Sequence, residues 1–276
     1  MTTLNLITLT WNAADKLQRL KDSLFPALKD IDFKWFIKDN NSNDNTYELA
    51  STWGDNVKII KYPNNLQNFS EGCNYLFNIA EPKDNDLILL LNNDVTFGDS
   101  NSLKNMISLL KNDTGIVGAK LLYTGTNKLQ HAGVVFEKRY KLPLHFRAHE
   151  DDDNMASKNR YFQAVTGAVM LMRVSDYKNI YTDNKSGING LDENLRWGFD
   201  DIDSCLAIKT KLNKKILYCG DTKIFHDESA SLKKNPVNKL FMNHNANYFI
   251  NKWRDKYSVD IDIYKENKNY NLFKTG

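Results

Sequence analysis

The chain has 276 residues, 41% apolar and 26% charged, and 37 Lys and Arg against 34 Asp and Glu leave a net charge of +3. That is an ordinary globular composition with no basic arm or stripe, so nucleic acid is not an expected partner. Three widely spaced cysteines, Cys73, Cys205 and Cys219, fit neither a disulfide framework nor a zinc site and suit a reducing, cytoplasmic compartment. Residues 1–5 lack the basic and apolar segments of a secretory signal, and the longest apolar run, 87–91, is too short to cross a bilayer.

The first half alternates strand and helix. An apolar strand is expected at 4–9, then a helix at 13–28 with Leu17, Leu20, Leu24 and Leu28 at helical spacing. A second strand at 33–37 leads to Asp39. A polar turn fills 40–45, where Asp44 can cap a short helix carrying Tyr47, Ala50 and Trp53. A strand at 57–62, a helix at 70–80 with Tyr75, Leu76 and Ile79, and a strand at 87–91 follow. This alternation implies an α/β fold whose mixed, mainly parallel sheet is flanked by helices. Ligands of such sheets bind beyond the carboxyl ends of the strands. Thr10-Trp11-Asn12, Asp39-Asn40-Asn41 and Asn92-Asn93-Asp94 all fall at such ends and could meet in one crevice.

The second half is less regular. Strands are expected at 116–123 and 133–137. The charged stretch 138–160, with Glu150, Asp151, Asp152 and Asp153 in a row, reads as a solvated, mobile loop. Residues 162–172 are apolar and expected to be buried. A helix at 201–211, a strand at 215–225 and a last helix at 236–257 complete the chain. No repeat or low-complexity linker divides it, so residues 1–276 are expected to form one unit.

The usual cofactor motifs are missing: no Gly-rich dinucleotide fingerprint, no phosphate loop and no nucleophile elbow. Acidic and amide residues gather at strand ends instead. Such hard oxygen ligands suit Mg2+ or Mn2+ holding a diphosphate, although an isolated Asp94 reads first as a turn former.

The order of several motifs adds to this. Residues 6–12, the turn 38–46 and the strand end 89–95 are similar to successive elements of the family 2 glycosyltransferases, which have the GT-A (Rossmann-like nucleotide-diphospho-sugar transferase) fold. Residues 115–123 with Gln130, His131 and Gly133 resemble the branch of rhamnosyl- and galactosyltransferases of surface polysaccharides. Thr166-Gly167-Ala168 is similar to the family's middle strand, and Gly190 to Glu193 to its Gly-x-Asp-Glu element. Phe199 to Cys205 resembles the Glu-Asp-x-Asp-x-Cys element, and His226 to Ser229 the closing His-x-Glu-Ser. The resemblance runs from about residue 4 to 231. It implies a nucleotide-binding half at 1–97, an acceptor and catalytic half at 98–232, and a helical extension at 233–276.

By this resemblance, Thr10, Trp11, Asn12, Asp39, Asn41, Gly72, Asn74, Asn92 and Asn93 line the nucleotide site. Trp11 would stack on the base, and Asp39 would accept the imide N–H of uracil or thymine. Asp94 and His226 would hold the Mn2+ or Mg2+, Asp201 would be the general base, and Asp200 would shape the site. Gln130, His131, Thr166, Gly167 and Trp197 would lie near the donor and acceptor sugars. Plainer readings stand beside these: Trp11 in the core, Asp44 as a helix cap, Asp203 supporting a helix start, and Gln130 and His131 closing a turn. Two departures are visible. Asn92 replaces the first carboxylate of Asp-x-Asp, and the loop 65–74 lacks the family's first glycine.

The implied reaction is an inverting transfer of a sugar from a UDP- or TDP-sugar to a hydroxyl of a glycan or lipid-linked acceptor, in surface glycan assembly. The Gln-x-x-Arg-Trp element of processive synthases is missing, so addition of one or a few sugars is expected. A sugar-phosphate nucleotidylyltransferase would need a Gly-rich, Arg-containing loop after the first strand, which the sequence lacks. A non-catalytic sugar-nucleotide binder is disfavoured by Asp94, Asp201 and His226 together. The last helix carries Phe241, Tyr248, Phe249 and Trp253 among basic residues. Packing on the catalytic domain is the expected role, with peripheral contact at the inner face of a membrane as the alternative.

Overall fold

A computed structural model describes residues 2–63, 68–195, 198–227 and 236–273, with backbone alone for 236–242. The order of elements follows from where apolar residues recur. Five of the seven residues of β1 (Leu4–Thr10) are buried in succession, as a strand covered on both faces requires. In α1 (Ala14–Ala27), Leu17, Leu20 and Leu24 share one buried stripe, and Pro26 falls in the last turn. Next come β2 (Phe33–Asp39), α2 (Thr46–Ala50) and β3 (Val57–Lys61). A capping box opens α3 (Phe69–Ala80): Asn68 accepts from the Glu71 N–H, and the Glu71 carboxylate accepts from the Asn68 N–H. The apolar run is β4 (Leu87–Leu91).

Beyond it lie β5 (Val95–Phe97), α4 (Ser102–Leu109), the long β6 (Thr114–Tyr123), β7 (Leu129–His131), β8 (Val134–Phe136), β9 (Pro143–His145) and β10 (Arg160–Phe162). Then follow β11 (Val169–Arg173), α5 (Val174–Tyr177), α6 (Asp200–Lys211), β12 (Lys215–His226), α7 (Pro236–Trp253) and α8 (Ile261–Glu266).

One sheet runs in the order β3-β2-β1-β4-β11-β6-β12-β10. β1 is parallel to β2 and β4, and β2 is parallel to β3. β11 enters antiparallel between β4 and β6, while β6 and β12 run parallel. Alternate residues feed two cores. Leu4, Leu6, Leu89 and Leu91 meet Leu17, Leu20, Leu24 and Met106 on one face. Ile7, Ile88 and Leu90 meet Leu76, Phe77, Cys205 and Leu206 on the other. Every carboxyl end of the parallel set thus opens at the same edge.

Two expectations need correction. The charged stretch at 138–160 is a folded flap. β9 pairs with β8, and the Arg147 guanidinium holds Glu150 and Asp153 at 2.7 and 2.8 Å. Asp152 pairs at 2.9 Å with Lys120, whose side chain is only 5% exposed. A buried ammonium needs such a partner, so the acidic run is fixed by charge pairing and not merely solvated. The last helix ends at Trp253, and its described aromatics face inward. Phe249 is fully buried against Phe199, and Trp253 is nearly so. That supports packing over membrane contact for these residues; the Phe241 side chain lies outside the described residues. No helix among the described residues is long and apolar enough to cross a membrane.

Candidate active site

The strand ends after β1, β2 and β4 are sewn together. The Asn93 amide donates to Thr10 Oγ1 at 3.0 Å. The Asn12 N–H donates to Ser42 Oγ at 2.8 Å, and Asn12 Oδ1 accepts from the Asn43 N–H at 2.7 Å. Asn12 and Asn41 both take left-handed backbone angles, which asparagine tolerates better than most residues. Asp44 accepts from the Thr46 N–H at 3.1 Å and the Ala14 N–H at 3.3 Å, so one carboxylate serves the starts of α2 and α1. Trp11 stands 55% exposed above this seam, outside the core. Asp39 is different. It is fully buried, and its two oxygens accept from the N–H of Ser42 at 3.2 and 3.3 Å and from its hydroxyl. Asp39 presents no surface to a base here; its visible task is to pin the turn.

At the end of β4, Asp94 Oδ1 lies 3.1 Å from His226 Nε2 at the end of β12. Gln130 orients that imidazole twice. Its Oε1 accepts from Nδ1–H at 2.6 Å, and its amide donates to the His226 carbonyl at 3.3 Å. Asn92 Nδ2 approaches Nε2 at 3.3 Å. Gln130 fixes a proton on Nδ1, so Nε2 is the ring nitrogen that faces the Asp94 carboxylate, where it can donate to that carboxylate or, without its proton, turn a lone pair to a cation. His226 and Lys16 hold the Asp94 carboxyl below its ordinary range against the upward push of burial.

The second carboxylate centre starts α6. Asp201 Oδ2 accepts from the Gly167 N–H at 2.9 Å, and Oδ1 accepts from the Ile202 N–H at 2.8 Å. A Cβ at Gly167 would lie 3.1 Å from Asp201 Cβ, so the glycine of Thr166-Gly167-Ala168 makes room for this carboxylate. Ala168, the next residue, accepts from the Asn92 N–H at 2.9 Å. Two successive residues therefore touch both the Asp201 centre and the Asp94 motif. Asp203 is buried and bonds to Trp253 Nε1 and Lys252 Nζ, both at 2.7 Å. It ties α6 to α7, a longer-range task than supporting the helix start.

Burial, with Asp201 and then Asp203 adding like charge, pushes the Asp200 carboxyl up to about 8 from an ordinary 3.8. The native protein then binds more protons than the unfolded chain between these values. The stability from this group is fully present below about pH 4 and is lost as pH rises through about 8. Asp200→Asn is expected to flatten that fall, by up to a few kcal/mol in urea unfolding series. Identical slopes for variant and parent would refute the assignment.

A family model described as glycosyl transferase family 2 matches residues 6–180. The chain belongs to glycosyl transferase family 2. A comparison of this chain with curated proteins finds no match. Among solved structures, GalNAc-T7 with UDP, GalNAc and Mn2+ superposes with a TM-score of 0.64 at 12% identity, over 96% of this chain and 54% of that one. S. aureus TarS 1–349 in complex with UDP-GlcNAc gives 0.58 at 15% identity, over 91% and 67%. The chain thus spans about half the length of the first of these structures. The likeness places the chain in the GT-A fold.

Several residues of the chain sit where the sequence did not put them. Asn74, expected at the nucleotide, is buried and saturated. Its Oδ1 accepts from the Tyr177 hydroxyl and the Leu191 N–H, and its amide donates to the Leu191 carbonyl and to Glu193. With all four positions used, it organises the loop 190–193. A Cβ at Gly72 would come 2.7 Å from Leu9 Cδ1, so this buried glycine seats α3 on β1. Gln130 spends its side chain on His226. His131 is fully buried, accepting from the Thr166 N–H at 3.3 Å and reaching His145 Nδ1 at 3.2 Å. Burial, then the nearby His145 and His226, holds His131 well below the ordinary imidazole range. Burial pushes the His145 imidazole below its ordinary range, and the charge of Asp201 partly opposes that push. Sequence reasoning missed His145, since it lay in the stretch read as loop. Trp197 and residues 65–67 lie outside the described residues.

Proposed function

We propose that this glycosyltransferase moves a sugar from a UDP- or TDP-sugar to an acceptor hydroxyl by single displacement with inversion. The observation that carries the reading is the Gly167-Ala168 step. It bonds Asp201 on one side and the Asn92-Asn93-Asp94 turn on the other, so a base and a diphosphate site share one edge of the sheet. The neighbours with UDP, and with UDP-GlcNAc, support the uridine diphosphate class.

Trp11 offers an exposed ring for the base to stack on. Asp201 takes the proton of the acceptor hydroxyl as that oxygen attacks the anomeric carbon. The acceptor proposed is a glycan or lipid-linked sugar of surface polysaccharide assembly, on the strength of the motifs at 115–134.

The donor set fits Mn2+ or Mg2+. Asp94 supplies a carboxylate, and His226 Nε2 lies beside it on a ring held by Gln130, ready to turn a lone pair to a cation that takes its proton's place. Among the described residues no cluster of three or more His, Cys, Asp or Glu surrounds an ion position, so these donors suit a cation that is completed by diphosphate oxygens. When bound, such an ion offsets the charge of the leaving diphosphate.

Thermal melts test the reading. UDP or TDP with Mn2+ is expected to raise the melting temperature more than GDP or ADP does. Asp94→Ala should abolish the Mn2+-dependent part, and His226→Ala should reduce it more mildly. Equal shifts with GDP and UDP would overturn the pyrimidine reading, and an undiminished Mn2+ effect in Asp94→Ala would overturn the metal site.

A further inference from the structure

Lys16 stands in the first turn of α1, where the positive end of the helix dipole disfavours a cation. Its side chain nevertheless turns to the proposed diphosphate site. Lys16 Nζ lies 3.4 Å from Asp94 Oδ2 and 3.6 Å from Asp227 Oδ2. Asp227 is held independently by the Arg19 guanidinium and the Thr124 hydroxyl, each at 2.7 Å, and its N–H donates to the Asp94 carbonyl at 3.0 Å. Asp227 therefore has a cationic partner without Lys16. Asp94 has only His226 and Lys16 as basic partners among the described residues.

At this place Asn92 is uncharged, and Lys16 brings an ammonium. Asp94 and Asp227 are balanced by Lys16 and Arg19 before any metal arrives. A pair of carboxylates facing a diphosphate would repel it until a divalent ion bridged them. A site already neutral, with a flexible ammonium at its lip, admits the anion directly. The Lys16 side chain is 31% exposed, so it can leave Asp94 without unpacking the core.

We propose that Lys16 is the built-in counter-cation of the diphosphate site. Its ammonium rests on Asp94 when no divalent ion is there and turns to the diphosphate when nucleotide binds. Lysine and metal share the anionic load, and they compete for Asp94 in the absence of nucleotide. The inference rests on the donor site proposed above.

Calorimetry with UDP and with inorganic pyrophosphate, in EDTA and in Mn2+, separates the two. Far-UV circular dichroism checks that each variant is folded. The parent protein should bind both ligands in EDTA. Lys16→Gln should weaken that metal-free binding by about 10- to 100-fold, the worth of one charge-assisted hydrogen bond. Lys16→Arg should restore most of it. Mn2+ alone should bind Lys16→Gln more tightly than the parent, because the competitor for Asp94 is gone. The Lys16 proposal is overturned if metal-free binding is absent in the parent but present with Mn2+, or is unchanged in Lys16→Gln. It is overturned too if Mn2+ binds parent and Lys16→Gln equally. Failure of UDP to bind under either condition, with Mn2+ still binding more tightly to Lys16→Gln, would sink the donor-site reading and leave the competition at Asp94 standing.

Discussion

Asp201→Asn is expected to lower sugar transfer by about 10²–10⁴-fold, the usual contribution of a general base, while UDP binding stays near the parent value. The variant keeps the size of the side chain. One of the two backbone bonds, from Gly167 or from Ile202, can still be accepted by the amide oxygen. What is lost is the basic lone pair. Asp200→Asn should cost less, because burial and the neighbouring Asp201 already disfavour the charged form of that carboxyl. Asp203→Asn is a different kind of change, since it disturbs the bonds to Lys252 and Trp253 and should show as a lower melting temperature. Near-normal transfer by Asp201→Asn, with Asp200→Asn inactive but folded, would move the base to the neighbouring carboxylate.

Gly190→Ala is expected to destabilise the protein by about 3 kcal/mol or more, among the larger effects of a single substitution. Gly190 has φ of +146°, and a Cβ there would lie 2.3 Å from Asn74 Oδ1 and 2.5 Å from Tyr177 Cε1. Both neighbours are buried, and Asn74 is held by its four hydrogen bonds, so neither can step aside cheaply. Gly187→Ala is the control: φ is +75° and nothing lies within 4 Å of its Cβ. Its cost should be backbone strain alone, about 1–2 kcal/mol. Equal urea midpoints for the two variants would show that the crowding at Gly190 is relieved by some shift of the loop.

The parallel half of the sheet was legible because β1 and β4 are buried, apolar strands and α1 is strictly periodic. The meeting of the turns after β1, β2 and β4 followed from their position at strand ends. Motif matching was less able to separate a residue that touches ligand from one that builds the cradle. Asn74 and Gly72 share the loop of the family motif, yet one is a saturated clamp and the other a contact point between α3 and β1. Asp39 likewise faces Ser42. Distances across the chain were the other blind spot. The partners of Asp203 are Lys252 and Trp253, and nothing local in the sequence points to them. His145 became part of the site only through the β8–β9 pairing that folds the charged flap back. Lys16 belongs to no motif, and only the fold brings it beside Asp94.

The antiparallel strand β11 has a consequence for how the chain comes off the ribosome. β4 consists of Leu87, Ile88, Leu89, Leu90 and Leu91, and one of its edges is covered only by residues 169–173. While those later residues remain unmade or inside the exit tunnel, an all-aliphatic strand presents a row of unpaired backbone groups on that side. Such an edge is a template for pairing with a neighbouring nascent chain. A fragment stopped near residue 97 would keep the Asp94 turn and lose the strand that shields it. Expression of such a fragment invites aggregation, and the whole β4–β11–β6 span is the shortest piece in which that edge is closed.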